Sequence, residues 1–214
     1  MSNIESATAK NKALTQAEAK AIQPRAEFRV FGQGIIAKLE KTIWSAKASL
    51  YAIRDMPVET YFVSRHTNEA NVKVRDDLLD IKLKTGETAE GFEIFQPNGK
   101  FAFPLKSADF EQIMTQLRVD LPGSQSAYSF AEFLNLTKNH PDLCAVEVSK
   151  KRYGFSVDGV ICEYAEVFIN GAKIETACCE SEDYAKIQSV VEALGLAGMK
   201  NTSYIRAIKQ IVGL

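Results

Sequence analysis

Histidine is scarce in this sequence, with only His66 and His140 among 214 residues. Both lie beside predicted loop or strand ends, which argues against a histidine-centred metal site or catalytic triad. The cysteines lack the C-x-x-C spacing of structural metal sites. Three of them fall in predicted strands, so we interpret them as reduced cysteines of a cytoplasmic protein. These cysteines are Cys144, Cys162, Cys178 and Cys179.

The sequence also has almost no net charge and no long apolar run. The formal net charge is −1, which argues against a general nucleic-acid binder because such proteins usually carry a basic balance. No apolar run approaches the ~20 residues that a membrane-spanning helix needs. The N-terminus lacks the hydrophobic stretch of a signal peptide. We therefore expect a cytoplasmic protein with no nucleic-acid or membrane partner, and the sequence leaves its oligomeric state open.

The segment at residues 71–84, NVKVRDDLLDIKLK, alternates apolar with charged residues. This alternation around Asp76-Asp77 predicts a hairpin with a two-residue turn. Cross-strand partners share a face, so one face is apolar and the other is basic. A basic face within a protein of nearly zero net charge indicates a discrete anionic ligand. The basic face contains Lys73, Arg75, Lys82 and Lys84, together with Asp80.

A second set of charges falls in the long β segment at residues 143–182. The dipeptides Asp158-Gly159 and Asn170-Gly171 are strong signals for tight hairpins and predict a three-stranded meander. Cross-strand pairing then gathers cations and carboxylates on one face. A solvated outer face of an antiparallel sheet would give the same periodicity, so the pattern alone leaves both interpretations open. The shared face contains Lys150, Arg152, Glu163, Thr176 and Glu180, and Glu182 if the strand extends that far.

The remaining pattern predicts a flexible or weakly helical tail at residues 1–22 and a single domain over residues 23–214. The first strand, at residues 25–32, places Glu27 and Arg29 on one face. A helix is predicted at residues 35–51, and Tyr204 of the last helix is expected at the surface. The overall order of strands and helices predicts an α+β protein whose antiparallel sheets curl into a barrel.

Taken in order, the charged strands resemble the CYTH-like superfamily, the triphosphate tunnel metalloenzymes, over about residues 25–212. That family has a Glu-x-Glu-x-Lys strand, a basic hairpin, a Lys-x-Arg strand, an acidic strand and a Glu-x-Glu ending. The matching segments here are EFRVF, VKVRDDLLDIK, SKKR, ICEYAEV and ESED. The chain departs from the family at Arg29 and Phe31, where the family has Glu and Lys.

The resemblance implies a closed antiparallel β-barrel, tunnel-like, with helices packed outside. Its basic side chains would bind phosphate groups through charge-assisted hydrogen bonds. Its carboxylates would hold Mg²⁺ or Mn²⁺, since hard divalent cations prefer oxygen ligands. The implied phosphate-binding residues are Arg29, Lys73, Arg75, Lys82, Lys84, Lys150 and Arg152. The implied metal ligands are Glu27, Glu163, Glu180 and Glu182.

Two main functional hypotheses follow from the resemblance. The first is a divalent-metal-dependent phosphohydrolase of tripolyphosphate or an organic triphosphate. The second is a protein of the same fold that binds a small polyphosphorylated anion without turnover. The change at Arg29 favours binding alone, whereas the ESED segment favours the enzyme. On the resemblance we predict the phosphohydrolase, with binding alone as the alternative. A nucleotidyl cyclase ranks third because no base-recognition pocket is identifiable, and a purely structural sheet protein is the remaining alternative. No catalytic residue is assigned.

Overall fold

The structure is a computed structural model that describes residues 12–43 and 48–214. Six helices and ten strands lie within these ranges. The helices are α1 (Gln16–Lys20), α2 (Ile35–Ile43), α3 (Ser107–Leu117), α4 (Phe130–Asn139), α5 (Ala185–Ala193) and α6 (Tyr204–Val212). The strands are β1 (Arg25–Gly32), β2 (Ala48–Ser64), β3 (Ala70–Arg75), β4 (Leu78–Glu87), β5 (Glu93–Ala102), β6 (Leu105–Lys106), β7 (Ala127–Tyr128), β8 (Leu143–Val157), β9 (Val160–Ile169) and β10 (Ala172–Ser181).

Eight strands form a closed barrel in the order β1-β10-β9-β8-β2-β3-β4-β5, and β5 pairs again with β1. Every neighbouring pair in the barrel is antiparallel. Closure leaves no unpaired sheet edge in the barrel. The prediction of an α+β fold with an antiparallel barrel and surrounding helices is confirmed. The short strands β6 and β7 form a separate two-stranded sheet.

The β3–β4 hairpin has the predicted register. Asp76 and Asp77 occupy the turn with φ angles of 50° and 60°, and positive φ at both central residues defines a type I′ turn. Lys73 consequently pairs with Asp80. The apolar face of the hairpin packs outside the barrel against α3 and α4, so its basic face points inward.

The β8–β9–β10 meander also has the predicted register. Gly154 faces Glu163 across the first hairpin, and Ala165 faces Thr176 across the second. Asp158 and Asn170 adopt positive φ angles of 50° and 46° at the two turns. The charged face of the meander therefore points into the same interior as the basic face of the β3–β4 hairpin.

Two predicted segments differ from the structure. The helix predicted at residues 35–51 ends at Ile43, and β2 begins at Ala48; residues 44–47 lie outside the described residues. Pairing of β2 with β8 begins at Ala48 and determines strand conformation there, despite a helical pattern in the sequence. Of the predicted tail at residues 1–22, residues 1–11 lie outside the described residues, and residues 16–20 form α1, a single short helix that packs Ala19 into the protein.

Three clusters of buried apolar side chains surround and fill the barrel. The first packs α2 and α5 against the outer faces of β1, β9 and β10. The second packs α3 and α4 against the outer faces of β2, β3 and β4. The third lies inside the barrel, where α6 contacts inward-facing residues of β2, β8 and β9. In residues 12–43 and 48–214, no helix has the length and apolarity needed to cross a membrane.

The inserted helix α6 makes one half of the barrel interior an apolar core. Tyr204 is 6% exposed and Ile208 is fully buried, and both pack against residues such as Val63 and Val167. The expectation that Tyr204 lies at the surface is wrong, because the apolar inward-facing side chains at this end of the barrel are covered by α6. The interior is consequently filled at one end.

We expect the Ile208→Ala substitution to lower the free energy of unfolding by about 2–5 kcal/mol, because it removes buried methyl groups inside the barrel. Ile211→Ala on the same helix is the matched control, since Ile211 is 39% exposed and should cost under about 1 kcal/mol. Urea unfolding followed by circular dichroism measures both. Equal costs for the two variants would contradict the insertion of α6.

Candidate functional site

The unfilled half of the barrel surrounds a cavity of about 190 Å³, which we call the cup. Two groups of charged side chains line it on opposite sides. The basic wall comes from β8 on one side of β2 and from β3 and β4 on the other. It consists of Lys73, Arg75, Lys82, Lys150 and Arg152, with the carboxylate of Asp80 among them. The acid wall comes from the adjacent strands β1, β10 and β9 and consists of Glu27, Glu180 and Glu163. The cup is therefore polarised by the order of the strands.

A buried carboxylate, Glu59 of β2, lies beneath the basic wall. Its Oε1 is 2.8 Å from Lys73 Nζ and 3.5 Å from an Arg75 nitrogen. Its Oε2 is 2.8 Å from Lys150 Nζ. The Glu59 side chain is completely buried, and one carboxylate thus serves three cations. The group leaves an excess of positive charge facing the cup.

This arrangement lowers the pKa values of Glu59 and Lys73, whereas the pKa of Lys150 is raised, because burial of its charge is outweighed by the charges of Tyr204, Glu59 and Glu163. Burial by itself would raise the pKa of Glu59, but the charges of Lys73 and Lys150 outweigh it and lower that pKa to about 2. Burial lowers the pKa of Lys73 to about 7, and the charge of Lys150 adds to the effect. Lys73 shares its carboxylate with two other cations, so Glu59 compensates this desolvation only in part.

Arg29 of β1 occupies the centre of the acid wall. Its Nε donates to Glu27 Oε1 at 2.7 Å, and its Nη1 donates to Glu163 Oε1 at 2.9 Å. Arg29 is 6% exposed. Burial opposes its charge, yet Cys178, Glu27 and Glu163 together hold its pKa above the usual value. The second oxygen of Glu163 pairs with Arg152, which joins the two walls.

The remaining carboxylate of the acid wall is held by another arginine of β1. Arg25 Nη1 lies 3.1 Å from Glu180 Oε1 at the rim of the cup. Arg25, Glu27 and Arg29 alternate along the strand, so all three point to the barrel interior. Each carboxylate of the acid wall therefore has an arginine partner from β1.

The floor of the cup is the first turn of α6. Arg29 and Lys150 lie over the ring of Tyr204, 4.6 Å and 4.7 Å from its centroid. The hydroxyl groups of Tyr204 and Ser203 are buried without a hydrogen-bond partner among the described residues, as is Oδ1 of Asn71. Buried polar atoms without partners are rare. All three residues line the cup, so a ligand there would find hydrogen-bonding groups available.

Most predicted phosphate-binding residues line the cup, and Lys84 does not. Arg29, Lys73, Arg75, Lys82, Lys150 and Arg152 all border the cavity. Lys84 lies two residues further along β4, toward the end filled by α6, and pairs with Glu87 and Glu93. Lys84 therefore lies outside the cup, apart from the other five cations of the hairpin and meander.

The predicted metal ligands do not form a metal site. Glu182 follows the end of β10 at Ser181, points to the rim and lies 3.4 Å from Arg25 Nε. Glu27, Glu163 and Glu180 line the cup, but one oxygen of Glu27 bonds to Arg29 and one oxygen of Glu180 to Arg25, while the two oxygens of Glu163 bond to Arg29 and Arg152. Across residues 12–43 and 48–214, no group of three or more acidic, cysteine or histidine side chains is arranged to hold a metal ion. These residues do not fit Mg²⁺ or Mn²⁺.

Two residues at the centre of the site were missed in the sequence. Glu59 faces inward because a β-bulge between Met56 and Glu59 adds one residue to β2 opposite β8. A bulge reverses the facing of every residue beyond it. One signal in the sequence could have identified Glu59: it shares the two-residue alternation of Tyr61 and Val63, which places a charged residue on a strand face that is otherwise apolar. Tyr204 was missed because helix insertion into a barrel leaves no periodicity of its own.

We expect Glu59→Gln to lower the free energy of unfolding by about 3–5 kcal/mol at pH 7, because it leaves buried cations without their carboxylate. The pKa of Glu59 is about 2 in the folded protein against a usual 4.5. Its contribution is therefore complete above about pH 4.5 and is lost as the pH falls toward 2. Urea unfolding at several pH values should show the difference from the unsubstituted protein shrinking below pH 4.5.

Glu90→Gln is the control for this measurement, since Glu90 is exposed and its substitution should change stability by less than about 0.5 kcal/mol. A loss for Glu59→Gln no larger than that of the control would contradict the role of the buried carboxylate.

The chain is similar to several solved structures along most of its length. A conserved hypothetical protein from Pyrococcus furiosus is 14% identical, with a TM-score of 0.49 over 85% of this chain and 98% of that one. A candidate adenylate cyclase from Bacillus halodurans is 12% identical, with a TM-score of 0.43 over 87% and 98%. A candidate adenylyl cyclase from Hippeastrum, described as having a dominant triphosphatase activity, is 12% identical, with a TM-score of 0.45 over 88% and 96%. No family model and no curated protein matches the chain. Similarities at this level assign neither a family nor an activity.

Proposed function

We propose that the cup binds a small polyphosphorylated anion. The observation that supports this most directly is the Glu59 cluster, in which Lys73, Arg75 and Lys150 share one carboxylate. A single carboxylate cannot neutralise three cations, and Asp80, the second carboxylate beside Arg75, is shared with Lys100. An anion with several negative charges would supply the missing counter-charge through charge-assisted hydrogen bonds.

The rest of the basic wall extends this charge toward the rim. Lys82 is exposed, lines the cup and makes no ion pair with another described residue. Arg75 and Arg152 contribute planar guanidinium groups, which match phosphate oxygens in a bidentate geometry. A chain of linked phosphates would contact these side chains in succession, whereas a single phosphate would reach only part of the wall.

The floor suits the end of such a ligand. The hydroxyl group of Tyr204 lacks a described partner, while Arg29 and Lys150 lie over its ring. A phosphate that reaches the floor would therefore meet two cations, next to a buried hydroxyl group that has no described partner. This arrangement favours an anion that enters from the open end and points its terminal phosphate toward α6.

Binding without turnover fits the acid wall better than metal-dependent hydrolysis. A metal-dependent phosphohydrolase needs carboxylates free to coordinate the ion, and the carboxylates of this wall are bonded to arginines. Hydrolysis of the bound anion stays a prediction from the family resemblance. Release of inorganic phosphate from tripolyphosphate in the presence of Mg²⁺ or Mn²⁺ would support it over simple binding.

We expect the protein to bind tripolyphosphate and Lys82→Ala to weaken that binding about tenfold. Loss of one charge-assisted hydrogen bond corresponds to roughly 1.4 kcal/mol, and Lys82 has no described ion pair whose loss would disturb the fold. Lys38→Ala is the matched control because Lys38 is exposed on α2, outside the barrel. Isothermal titration calorimetry at low ionic strength measures all three affinities. Absence of binding by the unsubstituted protein at millimolar ligand would refute the proposal.

We expect the affinity for tripolyphosphate to fall as the pH rises through 7, because the pKa of Lys73 is about 7. Deprotonation above that pH removes one positive charge from the basic wall. Lys73→Arg should flatten this dependence, since an arginine stays protonated throughout the range. The ligand's own protonation affects both proteins equally, so the difference between their pH profiles is the diagnostic quantity. Identical profiles would exclude Lys73 as the titrating group.

A further inference from the structure

We propose that the Arg29 guanidinium replaces a divalent metal ion between the carboxylates of the acid wall, so that the cup binds its anion without metal. The part that concerns the anion rests on the proposed function. The part that concerns the metal rests only on the geometry of Arg29 and can be tested without any phosphate.

The position of Arg29 carries the argument. Its guanidinium bonds to Glu27 at 2.7 Å and to Glu163 at 2.9 Å, on two strands that are separated only by β10. Both carboxylates thus lie within reach of one positive group at the centre of the wall. A divalent ion bridging Glu27 and Glu163 would occupy the volume that the guanidinium fills.

Displacing Arg29 in favour of an ion would be unfavourable. Arg29 is 6% exposed and its pKa is raised, so it stays charged at any pH at which the protein is folded. Removing its carboxylates would leave a buried charge without compensation, which is strongly destabilising. A divalent ion that bound nearby would also be repelled by the retained guanidinium.

Arg29 can still contact an anion while it holds the acid wall. Its side-chain bonds to Glu27, Glu163 and Thr176 use Nε and Nη1. No bond from Nη2 to another described residue is formed, so the N–H donors of Nη2 can bond to a ligand. A guanidinium carries five N–H donors in a fixed plane. It can therefore present one edge to carboxylates and another to phosphate. The fixed positive charge of the guanidinium then takes the place of the charge of a metal ion.

The experiment has two measurements on the unsubstituted protein. Titration with Mn²⁺ alone, followed by electron paramagnetic resonance, should show no site with a dissociation constant below about 1 mM. Titration with tripolyphosphate should give dissociation constants that agree within about threefold in EDTA and in Mg²⁺, after correction for the Mg²⁺ that the ligand binds in solution. Mn²⁺ binding at micromolar concentration, or tripolyphosphate binding only with Mg²⁺, would overturn the inference.

A variant makes the test sharper. Arg29→Met frees Glu27 and Glu163, so we expect it to gain a Mn²⁺ site and to lose at least tenfold in tripolyphosphate affinity in EDTA. Arg65→Met is the matched control, because Arg65 is half-exposed and pairs with Asp142 outside the cup. A folded Arg29→Met protein that gains no Mn²⁺ affinity would contradict the replacement. If this variant does not fold, the two measurements on the unsubstituted protein decide the question.

The outcomes separate this inference from the proposed function. Absence of tripolyphosphate binding in both EDTA and Mg²⁺ would refute the proposed function, and the Mn²⁺ titration would then decide the role of Arg29 alone. Binding that requires Mg²⁺ would retain the proposed function and refute metal independence.

Discussion

The contact between Glu59 and three cations is the interaction on which the site depends. Glu59 is fully buried, and Lys73, Lys150 and Arg75 reach it from the neighbouring strands β3 and β8. Desolvation of these charges is costly, and their mutual attraction offsets it only while all members are present. The cluster therefore fixes the register of three strands and sets the positive charge of the basic wall. Under the proposed function, stability and ligand recognition depend on the same group of atoms.

The division of the barrel interior follows from the residues that each strand turns inward. Toward one end these residues are apolar, as at Val63, Val146 and Val167, and α6 packs between them. Toward the other end they are charged and remain open to a cavity. A ligand can thus approach from one end, and the first turn of α6 limits how far it enters. The barrel of this protein is better described as a cup than as a tunnel.

The sequence allowed the strands and their registers to be predicted where turn chemistry was explicit. Asp76-Asp77, Asp158-Gly159 and Asn170-Gly171 each demand positive φ, and a fixed turn determines which residues share a face. The basic face and the acid wall followed from that arithmetic. Features that depend on contacts between distant segments of the sequence could not be predicted in the same way. The end of α2, the bulge before Glu59 and the insertion of α6 depend on contacts between segments far apart in the sequence.

The sequence also did not predict which ion-pair partner each charged side chain has, although these partners determine the chemistry of the site. Alternation placed Glu27 and Arg29 on one face of their strand, and the family resemblance implied an interior shared with Glu163. Only the fold shows that the arginine holds both carboxylates. A guanidinium can balance negative charge, as a metal ion does, and it can also donate hydrogen bonds. It lacks the open coordination position through which a metal lowers the pKa of bound water and activates it for attack. If Arg29 replaces the ion, as we propose, the cup keeps a fixed positive charge for the proposed phosphate ligand but lacks a metal-activated nucleophile. This combination favours retention of an intact anion over its hydrolysis.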